Sequence, residues 1–160
     1  MSQVVDTENI ARILRNSWVL KGVIQHTAFV LRRGETYISV NRPAVKTYDS
    51  DIKNFVETHP TFYADDNNDK YIRAVLNVGE IRNTQINFNG CNLNINVEVE
   101  PRDIFTKSHA GIFTRYENQN LKSGDTLYIQ PLETNISADE VLLEVRSRLI
   151  DIAKLEYCKL

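Results

Sequence analysis

Cysteine is nearly absent from this chain. Cys91 and Cys158 are the only two in 160 residues, too few and too far apart for a disulfide framework. With three histidines they show no zinc-ligand spacing either. Long apolar runs are missing as well. No stretch approaches the ~20 residues needed to span a bilayer. Residues 1–15 carry Asp6 and Glu8 where a secretory leader would be basic and then apolar. A cytoplasmic location is therefore expected, and the sequon Asn135-Ile136-Ser137 is read as chance. Glycine is scarce: the six glycines are dispersed as turn or strand punctuation, which excludes a glycine-rich phosphate loop. No GxSxG elbow or reactive-cysteine signature appears. Asp65-x-Asn67-x-Asp69 opens like a calcium loop, but Lys70 stands where the sharp turn needs glycine and Leu76 where a bidentate glutamate belongs. No metal and no cofactor are expected.

What is present is an ordinary globular composition, with 42% hydrophobic and 25% charged residues, enough for one domain with a useful core. No linker divides the chain, so a single domain over residues 1–160 is expected. The net charge of −2 argues against a nucleic-acid binder held by counterion release. Its distribution is uneven. Residues 10–48 carry seven basic side chains (Arg12, Arg15, Lys21, Arg32, Arg33, Arg42, Lys46) against Glu35 alone, a local balance of +6. Residues 49–69 carry six acids against Lys53, a balance of −5. Two readings follow: a pair of solvated surfaces that attract one another, or a basic site for phosphates.

Periodicity predicts an α+β fold in the order α-β-β-α-β-β-β-β-β-α: one mainly antiparallel sheet packed by a C-terminal helix and shorter helices. Asp6 or Thr7 is placed to cap a first helix ending at Asn16, with Ile10, Ile13 and Leu14 on one side. Residues 23–31 and 36–40 read as a hairpin about Arg33-Gly34. A helix over 50–59, stopped by Pro60, and a buried strand over 71–78 follow. Ile86-Asn87-Phe88, Asn89-Gly90 and an alternating second strand from Cys91 through Val99 form the clearest hairpin signal; a two-residue turn there pairs Phe88 with Cys91 and Ile86 with Leu93. Further strands are expected over 110–115 and 126–130. Ser137-Ala138-Asp139-Glu140 reads as a capping box that opens the last helix, with Leu142, Val145, Leu149 and Ile152 as its apolar stripe.

The first hairpin supplies the candidate site. A turn at Arg33-Gly34 sets Ala28 opposite Ser39, His26 opposite Asn41 and Gln25 opposite Arg42. His26, Ser39 and Asn41 then cluster on one face of the sheet, with Arg42 at its open end. Imidazole, hydroxyl, amide and guanidinium groups together suit phosphate binding or proton transfer. His109, where a loop enters a strand, is the second candidate. Each also has a plainer reading, as an ordinary polar pair on a half-exposed sheet or a structural hydrogen-bonder.

Trp18, Ala28-Phe29, Ile38-Ser39-Val40 and His109-Ala110-Gly111-Ile112 resemble elements shared by a loose group of small bacterial proteins of uncharacterised function. That resemblance spans residues 18–112 and implies no established activity. Two functions from different classes are carried forward. The leading expectation is a non-catalytic binding or adaptor module for a protein partner, motivated by small size, opposed charge patches and the lack of a catalytic motif. The alternative is an enzyme or binding protein for a phosphate-bearing small molecule such as a nucleotide, using His26, Ser39, Asn41, Arg42 and His109. Nucleic acid and membrane are not expected partners.

Overall fold

The computed structural model describes residues 2–102 and 104–160. The chain is α+β, as expected, but it begins with a strand. β1 (Asn9–Leu14) occupies the place read as a helix. Ile10, Ala11, Ile13 and Leu14 satisfy helical spacing, yet they also suit a strand buried on both faces. Tertiary pairing decides between the two: β1 aligns all six residues with β5 (Lys70–Asn77), from Asn9 opposite Asn77 to Leu14 opposite Ile72.

The expected first hairpin does not form. Lys21 and Gly22, both at positive φ, instead turn β2 (Val19–Leu20) back onto β3 (Val23–Ile24). A 3-10 turn over His26–Phe29 then buries Ala28 and Phe29. β4 (Tyr37–Asn41) pairs with β1 on one side and with β9 (His109–Tyr116) on the other. Between β4 and β5 the chain forms α1 (Tyr48–Thr58) and the single-turn α2 (Pro60–Tyr63).

After β5 come the short α3 (Val78–Arg82) and the hairpin of β6 (Ile86–Phe88) with β7 (Cys91–Leu93). Its register is the expected one, Ile86 opposite Leu93 and Phe88 opposite Cys91, because Asn89 and Gly90 both adopt the positive φ that this turn demands. The strand expected over 91–99 is split after Leu93: β8 (Ile95–Pro101) leaves the hairpin and pairs instead with β9 from Ala110 to Tyr116. β10 (Gln119–Asn120) folds back on β9. Tyr116 and Arg115 pair with both β8 and β10, so those two strands flank β9 on opposite sides. β11 (Thr126–Ile129) and β12 (Thr134–Ser137) make a separate ribbon. α4 (Ala138–Ile152) follows, and β13 (Lys154–Lys159), absent from the sequence reading, adds to the outer side of β5. Ser137 caps α4 by accepting from the Asp139 amide rather than from Glu140. The helix buries Ala138, Val141, Val145 and Leu149, while Leu142 is only half-buried.

The two sheet faces are covered differently. Ile10, Leu14, Ile38, Val40, Ala74, Leu76, Ala110 and Ile112 share one core with Val141, Val145 and Leu149 of α4. On the opposite face, Tyr48, Ile52 and Val56 of α1 pack on Ala11, Ile13 and Tyr71. α1 packs over β1, β5 and Cys158 of β13. The part of the face formed by β4 and the start of β9 is left open. No helix among the described residues is long and apolar enough to cross a membrane.

Candidate functional site

The open part of the sheet is a cleft of about 700 Å³, within the range of small-molecule sites. Its origin lies in the pairing of β1 with β4. The two align at a single pair, Ala11 opposite Asn41, and diverge beyond it. Arg12 bridges the gap: its Nε donates to the Ala28 carbonyl at 2.8 Å and its Nη1 to the Ser39 carbonyl at 2.7 Å. A side chain thus replaces the ladder bond that β4 lacks.

Alternation along β4 sends Ile38 and Val40 into the α4 core and turns Tyr37, Ser39 and Asn41 toward the cleft. His109 lies opposite Asn41 on β9. Three of the expected site residues, Ser39, Asn41 and His109, therefore come together, though through β4–β9 pairing and not through the hairpin read from the sequence. His26 and Arg42 do not join them. His26 is exposed on the 3-10 turn and lies outside the residues that line the cleft. Arg42 points away: it is 4% exposed, pairs with Glu8 at 2.6 Å, and donates to the carbonyls of Ser2 and Gln3.

His109 is held on both ring nitrogens. Nδ1 lies 2.6 Å from the Arg102 carbonyl. A carbonyl can only accept, so Nδ1 carries the proton in neutral His109 and Nε2 is free to accept. Nε2 lies 3.1 Å from Ser39 Oγ, whose hydroxyl donates to it. Burial holds the imidazole below the ordinary histidine range; the Arg102 carbonyl opposes that shift and the Arg102 charge adds to it. Tyr37 and Phe105 meet the ring edge-on, at centroid distances of 6.0 and 5.4 Å.

Asn41 is fixed from below. Its Nδ2 donates to Ser108 Oγ at 2.9 Å, and Ser108 Oγ donates to Asp51 Oδ2 at 2.6 Å. The same Asp51 oxygen accepts from Thr47 Oγ1 and from the Ser108 amide. This network ties the first turn of α1 to the start of β9, so the cleft wall is rigidly placed.

The opposite wall is arginine on aromatic. Arg12 lies 5.1 Å and Arg15 5.5 Å from the Trp18 ring centroid. Arg15 also stacks on Phe62 at 4.9 Å and on Tyr63 at 6.0 Å. Such stacking holds a guanidinium plane in place while its N–H edge stays open. Burial pulls the Arg12 guanidinium down to about 10, so it remains charged at neutral pH. Arg32 completes the set, and Glu35 at the rim accepts from the Arg32 backbone amide at 2.7 Å.

Among the described residues, four of the eleven arginines are matched to carboxylates, and the three of the cleft are among the seven that are not. Arg42, Arg73, Arg82 and Arg115 each form an ion pair with a carboxylate. Arg12, Arg15 and Arg32 form none among the described residues. The buried Nε of Arg15 meets no acceptor there, a property it shares with Arg102 and Arg146 outside the cleft. The acidic segment 49–69 does not neutralise them, since Asp51 is engaged by Thr47 and Ser108, and Glu57 lies near Lys53 at 3.9 Å.

Compared with known proteins, the chain matches no family model, no curated protein and no solved structure. The site is thus read from its own chemistry. The sequence reading missed Arg12, Arg15, Trp18 and Tyr63 as site residues. The basic run over 10–48 held the signal for the two arginines, but a helix there would have pointed them elsewhere. Among the described residues no group of three or more His, Cys, Asp or Glu side chains is placed to hold a metal ion.

Proposed function

We propose that this cleft binds a phosphate-bearing small molecule that also carries a planar group, a ligand of the nucleotide class. The observation that carries the reading is the gathering of three arginines without carboxylate partners among the described residues in one cleft, two of them stacked on aromatic rings. Guanidinium groups present forked donors that match phosphate oxygens two at a time, and an anion would offset the cost of partly burying their charge. Five aromatic side chains, Trp18, Tyr37, Phe55, Tyr63 and Phe105, line the same space and suit stacking on a base or similar ring. This favours the small-ligand alternative over a protein adaptor, for which a concave site of this size is not required.

A thermal-shift screen tests it, using mononucleotides, dinucleotides, sugar phosphates and inorganic polyphosphate. A ligand at about 100 times its dissociation constant adds roughly 2.7 kcal/mol, and each kcal/mol moves the midpoint of a domain this size by about 2–4 °C. At least one nucleotide should raise the midpoint by several degrees, more than the sugar phosphates do, and Arg15→Met should cut that shift by about half or more. A flat response from every compound overturns the reading and returns attention to protein partners.

A further inference from the structure

The cleft contains more than a binding wall. Ser39 is exposed toward it, and its Oγ lies 3.1 Å from Nε2 of His109, whose Nδ1 is oriented by the Arg102 carbonyl at 2.6 Å. That is the arrangement of a nucleophile, a base and a group that orients the base. The tautomer is the productive one, because the nitrogen facing the hydroxyl is the nitrogen without a proton. Gly111 lies directly opposite Ser39 in the ladder and brings no side chain of its own beside the hydroxyl. Arg12 donates to the Ser39 carbonyl at 2.7 Å and sets a positive charge beside the residue at which negative charge would develop.

We propose that Ser39 and His109 act as nucleophile and general base on the phosphorus of an ester bound in this cleft. The proposal rests on the phosphate-ligand reading above and gives that ligand a reaction. As the Oγ–P bond forms, the Ser39 proton passes to His109 Nε2. The P–O bond to the leaving alcohol breaks, and that oxygen takes the proton from His109. Water then attacks the phosphoserine phosphorus, gives its proton to His109, and restores the Ser39 hydroxyl as the P–Oγ bond breaks. No oxidant, metal or further reactant enters the balance.

The test uses diisopropyl fluorophosphate on the intact chain, followed by whole-protein mass and peptide mapping. The reagent is uncharged, so its capture does not depend on anion recognition by the arginines. One diisopropylphosphoryl group is expected on Ser39, with loss of fluoride. Ser39→Ala should give no adduct, and His109→Gln should label at least 100-fold more slowly. No adduct, an adduct elsewhere, or equal labelling of His109→Gln overturns the dyad. Should His109→Gln fail to fold, which circular dichroism reads directly, the mapped position on the wild-type chain decides alone. Nucleotide binding measured on the same sample separates the two readings. Binding without an adduct overturns the dyad only, and an adduct without binding overturns the ligand class only.

Discussion

Arg42 grips Glu8 through two donors, Nε to Oε2 at 2.6 Å and Nη2 to Oε1 at 3.0 Å, with both side chains almost wholly buried. The remaining donor capacity of the guanidinium goes to the carbonyls of Ser2 and Gln3. One arginine at the end of β4 thereby fastens the chain preceding β1. Its role is structural, although its residue type and its place in a basic run gave it the look of a ligand contact.

Removing one partner of such a pair strands a buried charge, at a cost of about 3–5 kcal/mol. Arg42→Ala should be destabilised on that scale in urea unfolding at neutral pH. The double variant Arg42→Met with Glu8→Leu should recover much of the loss, since it leaves no unpaired charge. Residual nucleotide affinity in the folded Arg42→Ala protein should match wild type, because the side chain lies outside the cleft.

Gly111 is required by a neighbouring ring. A Cβ there would lie 2.6 Å from Tyr37 Cδ2 and 3.0 Å from Phe113 Cε2. Gly111→Ala should displace Tyr37 and cost about 1–3 kcal/mol, as overpacking of a filled site does. Tyr37 touches His109 and carries the Arg102 guanidinium 5.0 Å above its ring. A perturbed His109 imidazole resonance in NMR should accompany the lowered thermal midpoint.

The cleft arginines should separate binding from stability. Arg15→Met keeps most of the apolar contact with Trp18 and Phe62 but loses the charge. A charge-assisted hydrogen bond is worth roughly 1.5–3 kcal/mol, so nucleotide affinity by calorimetry should fall by about 10- to 150-fold with the fold retained. Arg12→Met should lose affinity and stability together, since Arg12 also bridges Ala28 and Ser39. Arg33→Ala, exposed and outside the cleft, should change neither.

His109 should leave a mark on the pH dependence of stability. Its folded-state value is held below the ordinary 6.5 by burial, so below that pH the unfolded chain binds the proton more readily than the folded one. Stability contributed by neutral His109 is then complete above the unfolded value and declines as pH falls through 6.5 toward the folded value. Wild type should lose stability between pH 7 and 5. His109→Gln should show a shallower decline over the same window, measured by urea unfolding at closely spaced pH.

Much of the framework was legible in the sequence because it rests on local chemistry. Asn89-Gly90 set both the turn and the register of β6 and β7, since each residue there must adopt positive φ. Ser137 ahead of an apolar stripe marked the start of α4, and Pro60 marked the end of α1 within a residue or two. The α+β class followed from the strands read over β4, β5 and β9 together with the capped C-terminal helix. Residues 9–14 were not legible: Ile10, Ala11, Ile13 and Leu14 serve equally as one face of a helix or as a strand buried on both sides. Pairing with β5, remote in sequence, chose the strand. The site depended on that choice. Ser39, Asn41 and His109 could be named from their residue types, but only β4–β9 pairing brings them together, and only the divergence of β1 from β4 places Arg12 at the cleft. The sequence by itself determined which segments turn, cap and alternate, because those preferences act over a few residues. The tertiary structure decided which strands pair and therefore which side chains share a wall, because pairing is settled by burial across the whole sheet and not by any segment alone.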